Sequence, residues 1–163
     1  MKSYTDGLTG LNNMAFLYDY YEEYLKQNEN NCYLIAIDFA KLKYINDNFG
    51  HASGDRALKA VADALMYSSE DDEICIRMGG DEFSVIGVEY DDKKMNRFLG
   101  RFNEALKMFN EKNKYDYNIR ISVGWSITQA KKDTNLEECL SVADARMYQQ
   151  KKEKEEKGLR HRK

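Results

Sequence analysis

RMGGDEF (residues 77–83) lies between two apolar runs, Ile74-Cys75-Ile76 and Phe83-Ser84-Val85-Ile86. A glycine-rich bend between β-prone runs predicts a hairpin. One turn glycine is enough for that, and no acid is needed. The second glycine and the adjacent Asp81 and Glu82 therefore need another reason. Glycine lets a backbone approach a ligand closely, and neighbouring carboxylates offer the hard oxygen atoms that divalent cations take.

Outward from the hairpin, CYLIAIDF (residues 32–39) is nearly continuously apolar, which predicts a strand buried on both faces with Asp38 near its end. Before it, Asn12 or Asn13 can cap a helix to about residue 27, with Phe16, Leu17, Tyr20, Tyr21, Tyr24 and Leu25 at helical spacing. After it comes a short helix over about residues 41–48, then the Gly50-His51 turn. A further helix, capped by Ser53, runs to about Tyr67 with Ala57, Leu58, Val61, Ala62 and Leu65 inward. Residues 68–73 read as an acidic loop. Residues 92–112 read as a long helix with Met95, Phe98, Leu99, Phe102, Leu106 and Phe109 on its inner stripe. Residues 119–128 alternate as a strand, and Thr134 or Asn135 caps a last helix. The tail at 153–163 is a charge run, a solvated helix end. This order predicts an α+β fold: one central sheet with flanking helices.

The chain of 163 residues has a single-domain length, with a core over about residues 5–152 and the whole of 1–163 as one domain. Its formal charge of −3 argues against a nucleic-acid partner. No apolar run approaches the roughly 20 residues of a membrane span, and no signal pattern opens the chain, so a cytoplasmic location is expected. Cys32, Cys75 and Cys139 lack metal-ligand spacing and read as buried small apolar residues.

Three further segments accompany RMGGDEF: DGLTGLNN (6–13), KYINDNFGHASGD (43–55) and ADARMYQQKK (143–152). In this order and spacing the chain resembles a GGDEF domain, the catalytic module of diguanylate cyclases, from Asp6 to about Lys151. The resemblance implies a mostly antiparallel sheet of the palm or nucleotidyl-cyclase kind. It implies Asp38, the Phe39 carbonyl, Asp81 and Glu82 as ligands of Mg2+, which Mn2+ can replace. It also implies Asp81 as the residue on which catalysis depends most. Lys43 and Lys151 match lysines that face the phosphates, and the 39–42 segment, including Leu42, offers backbone N–H groups to them. Gly79 and Gly80 let the nucleotide close to the hairpin.

Asn46 and Asp55 match the pair that reads guanine. A carboxylate can accept from guanine N1–H and the 2-amino group together, whereas adenine offers it no such pair, so GTP is the expected nucleotide. Asp47 and His51 are assigned to loop shape. The reaction implied joins two GTP into cyclic di-GMP with release of two pyrophosphates, each domain holding one GTP. A second GGDEF protomer, met transiently face to face, is therefore the expected partner. An upstream sensor or receiver domain is expected too. Met1 stands only a few residues before DGLTGL, so the chain reads as a fragment or as a domain whose partner is separate.

Several positions depart from the family pattern. Ala40 stands where a second Asp is usual, Leu42 where Phe is frequent, Asn13 where Arg often follows, and Glu155 where an Arg commonly faces the phosphates. Glu155 is expected to pair with Lys151 and draw it away, with Lys154 as partial compensation. The RxxD product site is replaced by Glu70 and Glu73, which predicts no feedback inhibition there. An active cyclase is the leading expectation. A GTP-binding module that regulates another enzyme and a pure dimerisation module are the alternatives.

Overall fold

The computed structural model describes residues 3–89, 91–114 and 117–161, and the side chains of all but 159–161 among these. Its core is a five-stranded sheet of order β1-β3-β4-β2-β5, with β1 Asn12–Asn13, β2 Asn31–Phe39, β3 Glu73–Arg77, β4 Glu82–Val88 and β5 Ile121–Gln129. Only β1 and β3 run parallel; the other neighbours are antiparallel. The helices are α1 Met14–Tyr20, α2 Leu42–Phe49, α3 His51–Ser68, α4 Asp92–Lys112 and α5 Leu136–His161. The mixed α+β architecture is the expected one.

The central strand β2 explains the two-layer packing. Its alternate residues Tyr33, Ile35, Ile37 and Phe39 join a core with α3 and α4. Cys32, Leu34 and Ala36 face the other way, into a core with Leu17, Tyr21, Ala143 and Met147 from the first and last helical segments. Alternation of the pleat sends successive side chains to opposite faces, so both faces of β2 must be apolar. All three cysteines are buried and free. Burial pushes the Cys32 thiol up to about 12 and Cys75 up to about 11, which leaves both as unreactive packing groups.

Several local details differ from the expectation. Asn13 caps α1 by accepting from the Phe16 amide, as predicted, but Tyr21–Leu25 continue as a π-helical turn. Leu17, Tyr21 and Leu25 are buried, while Phe16, Tyr20 and Tyr24 stack as an outer ladder with centroids 5.4–5.5 Å apart. Ser53 is not a cap. Gly50 holds that position for α3 and ends α2 at the same time, at φ 88°, a left-handed conformation that suits glycine. The tail stays helical to His161.

Candidate active site

Two strands and the turn between β3 and β4 deliver the acidic groups. Asp38, second to last in β2, lies directly opposite Glu82 in β4 and Ser122 in β5. Cross-strand partners point to the same face. Asp81 precedes Glu82 in the turn, and the turn is fastened to β2 by the Phe39 amide, which donates to the Asp81 carbonyl at 2.8 Å. Carboxylate oxygens of Asp38, Asp81 and Glu82 consequently lie within 4.8 Å of one another. Asp38 is only 8% exposed, whereas Asp81 and Glu82 face outward.

Electrostatics at this point are unfavourable without a counter-charge. Burial, then the Asp81 charge, raises the Asp38 carboxyl above its ordinary value, and Lys151 partly offsets them, with its Nζ 3.3 Å from Asp38 Oδ2. Burial also raises Glu82, followed by the charges of Asp144, Asp81 and Asp38. Asp144 on α5 is raised by burial and by Asp38. Close carboxylates with hard oxygen donors, offset among the described residues by a single lysine, fit a divalent cation.

The turn itself is open. Met78 and Gly79 amides both donate to the Glu82 carbonyl, at 2.8 and 3.3 Å. A Cβ on Gly79 or Gly80 would meet nothing within 4 Å, and neither glycine has positive φ. The hairpin does not require them, so the space they leave is available to a ligand. Arg77 braces the turn from behind. Its guanidinium donates to the carbonyls of Gly79 (3.1 Å) and Gly80 (3.0 Å) and pairs with Asp6 at 3.2 Å. Burial would raise the Asp6 carboxyl, but the Thr9 hydroxyl and amide, together with Arg77, outweigh it and hold it below its usual range. The DGLTG segment is thereby tied to the hairpin. Sequence reasoning quoted both Arg77 and Asp6 but gave neither a role. It likewise overlooked Asp144, inside the 143–152 segment.

Other predicted residues fall around this cluster. Asn46 on α2 packs against Gly54 on α3: a Cβ on Gly54 would stand 1.8 Å from Asn46 Oδ1. That close approach puts Asn46 beside the turn that carries exposed Asp55. Lys43 is exposed in the first turn of α2, and Leu42 is half-buried at its start. The backbone reading of 39–42 needs correction. The Phe39 amide is used by Asp81, and the Ala40 amide donates to the Arg120 carbonyl at 2.8 Å. Only the amides from Lys41 onward, which follow a left-handed Lys41 at φ 62°, stay outside those two bonds. Among the described residues Glu155 makes no ion pair; Lys151 turns to Asp38 instead. The Glu155–Lys151 pair expected from the sequence is therefore not formed among the described residues.

Glu70 and Glu73 serve the fold. Glu73 is buried, accepts from the Tyr33 hydroxyl, and takes the Glu70 amide at 2.8 Å. Glu70 pairs with Arg97 of α4 at 3.2 Å. No helix among the described residues is long and apolar enough to cross a membrane.

A family model described as diguanylate cyclase, GGDEF domain, matches residues 3–157. The diguanylate cyclase DgcP of Escherichia coli (strain K12) is 32% identical over 158 residues, 94% of this chain and 46% of that protein. The cyclic di-GMP phosphodiesterase PdeB of Shewanella oneidensis is 32% identical over 143 residues, 85% of this chain and 16% of that protein. The chain thus spans under half the length of either relative. The crystal structure of the GGDEF domain of DgcB from Caulobacter crescentus, in complex with c-di-GMP, matches with a TM-score of 0.77 at 23% identity, over 93% of this chain and 92% of that one, a likeness of fold. With its sheet, its acidic turn and a family match over nearly its whole length, the chain belongs to the GGDEF domain family.

Proposed function

We propose that this chain is the catalytic module of a diguanylate cyclase, acting in the cytoplasm and joining two GTP into cyclic di-GMP. The observation that carries this reading is the meeting of Asp38, Asp81 and Glu82 within 4.8 Å at the open hairpin turn. Asp38, Asp81, Glu82 and the Phe39 carbonyl would hold the divalent cation, magnesium in this reading. Bound there, it would supply charge neutralisation at the attacked phosphate and lower the pKa of the attacking hydroxyl. Lys43, the amides at the start of α2 and Lys151 bind the phosphates. Lys151 exchanges its Asp38 contact for them. Gly79 and Gly80 admit the nucleotide to the turn. Asn46 and Asp55 hold guanine by its N1–H and 2-amino edge, a pattern adenine cannot satisfy.

Each 3′-hydroxyl attacks the other nucleotide's α-phosphate, and pyrophosphate leaves. One chain presents one such site, so two chains meet with their turns opposed. The rate then rests on alignment and charge stabilisation and needs no covalent intermediate. Product feedback through the Glu70 and Glu73 region is not expected, since both acids are engaged in the fold and would repel a product phosphate.

A second reading has its own observations: Ala40 and Glu155 remove groups usual near the phosphates, and a phosphodiesterase is among the relatives. In that reading the chain binds GTP and regulates an attached enzyme. Incubation of the purified chain with GTP and Mg2+, with mass-spectrometric detection of cyclic di-GMP, separates the two. Synthesis supports the cyclase; GTP binding without turnover supports the regulator; no GTP binding contradicts both.

Gly54→Ala tests the guanine assignment without disturbing the acids. The new methyl displaces only the Asn46 amide, a flexible side-chain end. The expected result is GTP affinity reduced about tenfold or more, the loss of one to two hydrogen bonds. Affinity for inorganic tripolyphosphate is unchanged. Calorimetric titration of both ligands checks it.

A further inference from the structure

Beyond the edge strand β5 lies an open cleft of about 590 Å³ between α4, the segment leading into β5, and the last part of α5. Lys107, Arg120 and Lys154 line it against a single acid, Glu111, with Asn103 as a further polar wall. Lys154 is anchored there: its Nζ donates to the Ile121 carbonyl at 2.6 Å. Burial lowers the Lys154 ammonium below its ordinary value, and the neighbouring Arg120 charge lowers it further. Among the described residues neither cation has an ion pair, and the Arg120 side chain makes no hydrogen bond. Two like charges thus line one cleft, neither paired with an acid among the described residues, an arrangement that a bound anion would relieve.

The position of this pair connects it to the active site. The Arg120 carbonyl accepts from the Ala40 amide, so Arg120 sits across from the first residue after β2. It stands two residues before Ser122, the β5 residue paired with Asp38. Lys154 is one helical turn beyond Lys151, which already reaches Asp38. We propose that Arg120, together with Lys154, binds the terminal phosphates of the nucleotide, the part that leaves as pyrophosphate, in place of the cation that Glu155 does not supply. This rests on the cyclase or GTP-binding reading for the identity of the ligand, but the site itself is one for a polyphosphate. Arginine suits the role because its planar fork offers paired donors to phosphate oxygens.

The test titrates the full chain, in Mg2+, with inorganic tripolyphosphate, GTP and guanosine by calorimetry, for wild type, Arg120→Gln and Lys154→Gln. Wild type is expected to bind tripolyphosphate. Arg120→Gln is expected to weaken tripolyphosphate and GTP about tenfold, the loss of one charge-assisted hydrogen bond, while guanosine binding and the melting midpoint stay unchanged. Lys154→Gln follows in the same direction. Arg120→Gln binding tripolyphosphate as tightly as wild type, an equal loss for all three ligands, or no tripolyphosphate binding by wild type overturns the proposal. Tripolyphosphate binding without GTP binding or cyclic di-GMP synthesis leaves this site standing and removes the reading of function. Synthesis with Arg120→Gln unaffected does the reverse.

Discussion

Asp81→Ala removes cyclic di-GMP synthesis, lowering the initial rate by about 10³-fold or more, at the upper end of what loss of one charge-stabilising group at a reacting phosphate costs. The fold is expected to survive unharmed. The tie that fastens the turn to β2 uses the Asp81 backbone carbonyl, which alanine keeps. The Asp81 charge also raises the carboxyls of Asp38 and Glu82, so its removal relieves repulsion in the metal-free protein. The melting midpoint of the variant should therefore equal or exceed that of the wild type, measured without divalent cation. Chromatographic assay of product against time, beside thermal unfolding, reads both halves. A variant that keeps a tenth of the wild-type rate would place the chemistry elsewhere.

Gly124→Ala is expected to have the largest effect on stability. Gly124 lies opposite Ala36 in the sheet, where α5 crosses β5. An added Cβ would stand 2.2 Å from both the Ala143 carbonyl and the Met147 amide, and 2.9 Å from the Arg146 carbonyl carbon. These are backbone atoms of a helix, so no side chain can swing aside and the whole of α5 must lift. Overpacking of this kind costs about 3 kcal/mol or more, on the order of 10 °C in melting midpoint for a chain of this size. Urea unfolding monitored by circular dichroism measures it. The lifted helix also carries Lys151 out of reach of the phosphates it binds in the proposed reaction, so activity falls further than the folded fraction does.

The residues that declared themselves in the sequence are those whose pattern is local. The stripe Met95, Phe98, Phe102, Leu106 gives α4 with its observed bounds, since helical periodicity lies within one segment. The unbroken apolar run of β2 announces burial on both faces, and the GGDEF turn announces itself by acids a hairpin has no need of. What stayed hidden depends on distant partners. Arg77 matters because Asp6 comes to it from 71 positions away, and no periodicity encodes that pairing. Glu73 looks like a solvated loop acid until the Tyr33 hydroxyl reaches it from β2 across the sheet. Ser53 resembles a cap by composition, yet Gly50 fills that place because one residue had to end α2 and begin α3 in a left-handed bend. The Ala40 amide seemed available to phosphate until the segment leading into β5 supplied the Arg120 carbonyl.

The central claim is that Asp38 and the hairpin acids grip the same cation under a guanine nucleotide. It is tested most directly by crystals grown with Mn2+ and a non-hydrolysable GTP analogue, with the metal located by its anomalous scattering. The account predicts a peak at about 2.2 Å from carboxylate oxygens of both Asp38 and at least one of Asp81 and Glu82, with analogue phosphate oxygens completing the shell. A well-ordered analogue whose metal lies beyond coordinating distance of Asp38, or no metal at the turn at all, would contradict it.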